Sequence, residues 1–262
     1  MRYYKLTLII VALSFSWNLF AQENLWHQRN LSAYTEYLSK EFGIICSIPE
    51  RFTNLDKYYV GWKVREEKDK HTGALYGPIF QSKNKDCMLM YTAQPRYVSE
   101  KDIEIFKKTA MIERILNRDT STTEPKVATN RSIARGQISA EIKTALGLYY
   151  RYAPPLNNNS ARFDFNDYVT IIAGKKAREM FNADSIYIYE IPGADSVYFF
   201  DKSLEKTRKG SYPYCTGVFI SKDGRATMDF KLFLTKKGKK NEEKYINILS
   251  KQVWYDENFK HE

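Results

Sequence analysis

The Asp223-Gly224 pair, set between two apolar runs, is the local feature that most constrains the fold. Tyr214 to Ile220 and Ala226 to Leu234 are both strand-like, and Ser221-Lys222-Asp223-Gly224-Arg225 between them is polar. An Asp-Gly pair favours a tight hairpin turn, because glycine has no Cβ to oppose the positive φ the turn needs. A two-stranded hairpin is marginal alone in water, so it needs further strands or a helix over its apolar face. The rest of the chain offers both.

Leu31 to Phe42 reads as a short amphipathic helix, and Ile44 to Ile48 as a strand stopped by Pro49. Tyr58 to Val64 is rich in aromatic and β-branched residues, which suits a strand. Ile79-Phe80-Gln81 and Cys87 to Tyr91 flank the polar tip Ser82 to Asp86 and form a second expected hairpin. Ser99 and Asp102 open a helix with Ile105, Ile112 and Leu116 on one face. Ser132 to Leu146 is expected to be helical, with Ile138, Ile142 and Ala145 on one side. Asp164 and Asp167 then cap an expected third helix, whose stripe is Val169, Ile172, Ala173, Ala177 and Met180. Ser185 to Ile191 alternates as a strand does. Asn241 to Ser250 reads as a helix with Tyr245, Ile248 and Leu249 inward, Val253 to Tyr255 as a closing strand, and Asp256 to Glu262 as a frayed end. The class is α+β: antiparallel sheets, each covered by helices.

Two stretches run in the same order. Ile44 to Pro49 parallels Tyr187 to Pro192, and Ile79 to Asn84 parallels Val218 to Asp223. This points to a strand–hairpin–helix unit used twice. Pro154-Pro155 and Asn157-Asn158-Asn159 interrupt the chain between the copies. The expected division is a leader over 1–21, an N-terminal unit over 22–150 and a C-terminal unit over 151–262.

The leader is read from Arg2 and Lys5, the apolar run Leu6 to Phe20, and Ala21 before Gln22. That is the layout of a cleavable secretory signal, and its run is shorter than the roughly 20 residues a membrane span needs. The expected product is soluble, without a transmembrane segment, and periplasmic or secreted. Its charge stays positive, since the leader removes only Arg2 and Lys5 from a net +10. Lys236-Lys237 and Lys239-Lys240 read as a solvated turn. Export argues against nucleic acid as a partner.

The Ala21-Gln22 junction, the high Lys, Asn and Tyr content, and the run Tyr245-Ile246-Asn247-Ile248-Leu249 to Val253-Trp254-Tyr255 resemble secreted proteins of unknown function from gut-type Gram-negative bacteria. The resemblance implies an envelope location and brings no catalytic residues. The strands ending in Ile-Pro are similar to openings in photosystem-II-P-like α/β/α sandwich domains.

Catalytic chemistry finds little support. His27, His71 and His261 are the three imidazoles, and none lies in a stretch expected to line a cleft. No two-His metal spacing, C-x-x-C pair or glycine-rich phosphate loop is present, and no cofactor motif appears. Asp164-Phe165-Asn166-Asp167 reads as helix capping rather than a calcium loop, and Glu66-Glu67 as a solvated turn. Cys46, Cys87 and Cys215 allow at most one internal bridge, and Cys46–Cys87, within one expected unit, is the candidate pair. Asp184-Ser185-Ile186 and Asp195-Ser196-Val197 resemble the acceptor triplets of bacterial O-glycosylation, which makes Ser185 and Ser196 candidate modification sites. The chain holds 20 Tyr, 15 Phe and 4 Trp. Tyr149, Tyr150, Tyr152, Tyr212 and Tyr214 lie near Pro-rich turns, where exposed rings would stack on sugars or peptides.

The expectation is therefore an exported, non-catalytic binding protein whose partner is an envelope protein or a glycan. The alternative is an envelope hydrolase whose site shares no short motif. The export reading has a direct check. N-terminal sequencing of the protein from its own host should begin at Gln22, and Met1 recovered from a cytosolic fraction would overturn it.

Overall fold

The computed structural model describes residues 30–56, 60–62, 76–92, 95–97, 103–105, 107–109, 111–112, 129–146, 163–191, 198–200 and 212–260. Helices among those residues include α1 (Leu31–Phe42), α2 (Asn130–Ala145), α3 (Lys175–Phe181), α4 (Lys236–Lys240) and α5 (Glu242–Ser250). The strands are β1 (Ile44–Cys46), β2 (Phe52–Asn54), β3 (Val60–Trp62), β4 (Tyr76–Ser82), β5 (Cys87–Thr92), β6 (Val169–Ala173), β7 (Ser185–Glu190), β8 (Tyr198–Phe200), β9 (Tyr214–Ser221), β10 (Met228–Leu234) and β11 (Val253–Tyr255). The α+β class is as the patterning requires.

Seven strands form one antiparallel sheet in the order β2-β4-β5-β10-β9-β7-β6. Both expected hairpins are in it, as β4–β5 and β9–β10. They lie back to back, with β5 bonded to β10 and Leu89 opposite Leu232. The stretches read as separate units thus share a single sheet. Two short antiparallel pairs stand outside it, β1 with β11 and β3 with β8.

Alternation along the central strands feeds two cores. Phe80, Leu89, Tyr91, Val218, Ile220, Phe230 and Leu232 face one way, against Tyr34 and Leu38 of α1, Phe181 of α3 and Leu249 of α5. Ile79, Met88, Met90, Tyr187, Phe219 and Phe233 face the other way, against Ala134, Ile138 and Ile142 of α2. Every residue of β10 is buried, as befits a strand covered on both faces.

The sheet order is mirrored about the β5–β10 seam. β2, β4 and β5 on one side correspond to β7, β9 and β10 on the other, and β3 and β8, which follow β2 and β7 in the chain, pair with each other. Residue correspondence differs from the sequence pairing in two ways. Phe80 faces the α1 side and Phe219 the α2 side, so the hairpins correspond with a one-residue offset. Ile44 to Cys46 leaves the main sheet for β11, so β2, not the Ile-Pro strand, holds the place matching β7.

The expected third helix is corrected. Asp164 does cap, its Oδ1 accepting from the Asn166 amide at 2.9 Å, but only a 3-10 turn over Phe165–Asp167. Val169 to Ala173 is then strand β6, and α3 begins after Gly174, whose φ of 66° turns the chain. The β-branched run Val169-Thr170-Ile171-Ile172 favours extended backbone, and β7 offers it a ladder. The chain end is also better held than expected. The Asp256 amide donates to Gly43 O at 2.8 Å, and the Arg225 guanidinium lies 4.5 Å from the Phe259 ring centre. The expected helix after Ser99 is described only at 103–105, 107–109 and 111–112. There Ile105 and Ile112 are exposed, not packed.

No bridge joins Cys46 to Cys87. Both thiols are buried and free, as is Cys215. Cys46 sits on β1, outside the sheet that carries Cys87 on β5. Burial pushes the Cys46 thiol up to about 12 and raises the other two as well. Only thiolate reacts readily with alkylating reagents. At pH 9 the folded protein should therefore take up almost no iodoacetamide, while the unreduced, denatured protein should take up three labels. Two protected thiols after denaturation would restore a bridge.

Candidate functional site

Two places concentrate chemistry, one buried and one open. The buried one lies where α2 crosses the sheet. Tyr189, Gly217, Lys231 and Met90 form one row across β7, β9, β10 and β5. Asp229 stands two residues before Lys231 on the same face, and Glu141 comes from α2. Lys231 Nζ lies 2.6 Å from Asp229 Oδ2 and 2.8 Å from Glu141 Oε2. The Tyr189 hydroxyl also touches Lys231 and lies 2.8 Å from Glu141 Oε2 and 3.0 Å from Asp229 Oδ1. Gln137, one turn before Glu141, sends Nε2 to Asp229 Oδ2 at 3.4 Å.

This constellation has the residue types of a catalytic centre but not its access. Lys231 is 0 %, Asp229 2 % and Glu141 6 % exposed. Burial by itself would lower the Lys231 pKa, but the Asp229 and Glu141 carboxylates outweigh it and hold the ammonium above its ordinary value. A lysine kept charged between carboxylates is neither a nucleophile nor a base. The group acts as a clamp between α2 and β10. Gly217 makes room for it: a Cβ there would fall 2.2 Å from Cζ of Tyr189.

The open place is a groove of about 670 Å³ between α3 and the segment that follows α5. Arg178, Met180 and Asn182 line one wall, and Trp254, Asp256 and Asn258 the other. β11 sets the indole by alternation, with Val253 and Tyr255 inward and Trp254 outward at 40 % exposure. The walls are fixed by backbone contacts. Asn182 Nδ2 donates to Tyr255 O at 2.7 Å, Arg225 Nη1 donates to Asp256 O at 3.0 Å, and Asp256 Oδ1 accepts from the Asn258 amide at 2.9 Å. The groove thus offers an aromatic face beside amide, carboxylate and guanidinium groups. A second depression, of about 450 Å³, is lined chiefly by charged and amide side chains, among them Glu50, Arg51, Glu243 and Lys251.

His27, His71, His261, Glu66, Glu67, Tyr149, Tyr150, Tyr152 and Ser196 lie outside the described residues. Ser185 is half-buried at the start of β7, paired with Ala173 on one side and Ser221 on the other. Its neighbour Asp184 is engaged, accepting from the Asp223 amide at 2.8 Å. Tyr212 is buried, its hydroxyl donating to Lys85 O at 2.9 Å and accepting from Gln81 Nε2 at 3.0 Å. The lysine run is not a solvated turn but helix α4, in which Lys239 pairs with Glu190 at 3.2 Å and Glu242 at 3.0 Å. Among the described residues no cluster of three His, Cys, Asp or Glu is placed to hold a metal, and no helix is long and apolar enough to cross a membrane.

The clamp was missed in the sequence, although Asp229 and Lys231 two apart in an apolar strand, and Glu141 between Ile138 and Ile142, were its signals. Trp254 appeared only as part of the closing strand. Compared with models of known protein families and with curated proteins, the sequence finds no match.

The clamp predicts a steep stability cost. Lys231→Met leaves two carboxylates buried without their cation, and breaking a buried pair in this way costs about 3–5 kcal/mol. Chemical denaturation should show that loss, and adding Asp229→Asn and Glu141→Gln should recover part of it. A loss below about 1 kcal/mol, the range of exposed pairs, would mean the cluster is solvated.

Proposed function

We propose that this protein is an exported, non-catalytic binding protein of the bacterial envelope, and that the Trp254 groove takes a glycan chain. The observation that carries the reading is Trp254 itself, a half-open indole on a fixed strand beside Asp256, Asn258, Asn182 and Arg178. Sugar rings present an apolar C–H face that stacks on indole and a rim of hydroxyls that amides, carboxylates and guanidinium groups bond. Tryptophan suits such contacts because it combines a large apolar body with a polar N–H. The walls are already held by backbone bonds, so little ordering entropy is lost on binding. The leader-like first 21 residues support placement in the periplasm or outside the cell.

The non-catalytic part rests on the clamp. The carboxylates that converge with a lysine and a tyrosine are buried and paired with that lysine, out of reach of a substrate. Titration of the purified protein with soluble peptidoglycan and lipopolysaccharide glycan fragments should quench indole fluorescence. Trp254→Ala should weaken binding about tenfold, the scale of one lost aromatic contact, and Trp254→Phe less. Equal affinity in Trp254→Ala, or no binding to either glycan, would overturn the assignment. Release of new reducing ends would favour the hydrolase alternative.

A further inference from the structure

The two ends of the seven-stranded sheet are finished differently. β2 is three residues long and is flanked by Pro49 and by Arg51 and Asp56, both at positive φ, which bend the chain away from a further partner. Short length and local kinks of this kind are how proteins blunt a sheet edge. β6 at the other end has five residues, Val-Thr-Ile-Ile-Ala, with no proline, no charge and an unbroken register against β7. Among the described residues β7 is its only strand partner. Thr170 and Ala173 are exposed, and Ile171 at the centre of the strand is 41 % exposed. An uncharged edge of this length is a template for another strand.

The flanking charges say which strand. In an antiparallel pairing of β6 with β6 of a second copy, centred on Ile171, Thr170 falls opposite Ile172 and Val169 opposite Ala173. Beyond the ladder the chain turns out of the strand at both ends, which sets the exposed Asp167 of each copy at the same end as Lys175 and Lys176 of the other. Asp167 is exposed, and the Lys175 side chain, 91 % exposed and in only a 3.7 Å contact with Glu179 one turn on, can reach across. Ile171 would pack on its own counterpart, which covers the exposed apolar residue at the middle of the edge.

We propose that β6 is a self-association edge: two copies join through antiparallel β6 strands on a dyad at Ile171, with Asp167 and Lys175 paired at both ends. The sheet then runs continuously through fourteen strands, twice the seven of one copy.

Sedimentation equilibrium of the purified protein, at low salt and up to about 1 mM, should show a monomer–dimer equilibrium. Asp167→Lys or Lys175→Asp alone should raise the dissociation constant about tenfold, since each change replaces two attractive contacts per dimer with repulsive ones. The double variant Asp167→Lys/Lys175→Asp should return it to within about threefold of the parent. The register has its own readout. Ile171→Cys lies on the dyad and should form an intermolecular disulfide under mild oxidation, whereas Thr170→Cys faces Ile172 and should not. The native thiols are buried and do not compete. Circular dichroism on each variant separates loss of the edge from loss of the fold. A protein monomeric at every concentration, or a dimer indifferent to both single charge reversals, would overturn the proposal.

Discussion

The fold depends on how β10 meets the burial of its own charges. The strand is central, bonded to β5 on one side and β9 on the other, and covered by helices on both faces. Its α1-facing residues, Met228, Phe230, Leu232 and Leu234, need only be packed. Its other face carries Asp229 and Lys231, whose ionised groups are costly to bury unless paired. Two residues apart on one face, they pair with each other. The cluster is completed by Glu141 and Tyr189, which brings α2 and β7 to the same point. An apolar face would let α2 slide or rotate; a lysine between two carboxylates fixes one position. The cluster therefore joins the two halves of the chain from above, as the β5–β10 ladder joins them within the sheet.

On the other face the same task falls to Arg225, which follows the Asp-Gly turn. Its guanidinium donates to Phe42 O at 3.0 Å and Gly43 O at 2.8 Å, the C-terminal carbonyls of α1, and to Asp256 O. A cation at a helix C-terminus also meets the negative end of the dipole. Asn130 Nδ2 reaches the turn from α2, bonding Lys222 O at 2.6 Å. The hairpin tip thus gathers α1, α2 and the chain end, and Phe259 stacks over the arginine. Because Asp256 is held there, the far wall of the Trp254 groove is rigid for reasons that lie outside the groove.

Much of the fold was legible because local and long-range preferences agree. The Asp223-Gly224 hairpin, α1, α2 and the closing strand follow from turn chemistry and from apolar spacing. The third helix failed because Val169, Ile172, Ala173, Ala177 and Met180 fit a helical stripe by spacing alone. The β-branched residues and the waiting edge of β7 decided otherwise. The mirrored strand order was legible but its register was not, since strand periodicity makes an offset of one residue invisible in composition yet turns every side chain over. The clamp could not be read because its parts are distant in sequence. Glu141 is a polar residue on a helix, and Asp229 and Lys231 look like a solvated strand face until the helix is laid over them. The groove was hidden for the same reason: Met180, Asn182 and Trp254 meet only when β1 and β11 bring the end of the chain beside α3.

The mirrored part of the sheet and the groove are different kinds of structure. β2, β4 and β5 answer β7, β9 and β10, and this shared frame carries both cores. The groove is made from α3, β11 and residues 256–258, and β11 pairs with β1 outside that frame. Side chains in the frame are fixed by packing on two faces, and a change there is felt in the core. Trp254, Asp256 and Asn258 have one side free. They are held by backbone bonds to Asn182, Arg225 and Gly43, which constrain where the chain runs but not which side chains it presents. Surface segments positioned by a rigid scaffold are where binding residues concentrate. In this chain that division falls between the mirrored sheet and the end of the chain laid beside α3, which is why the proposed recognition site lies with Trp254 rather than with the more conspicuous cluster around Lys231.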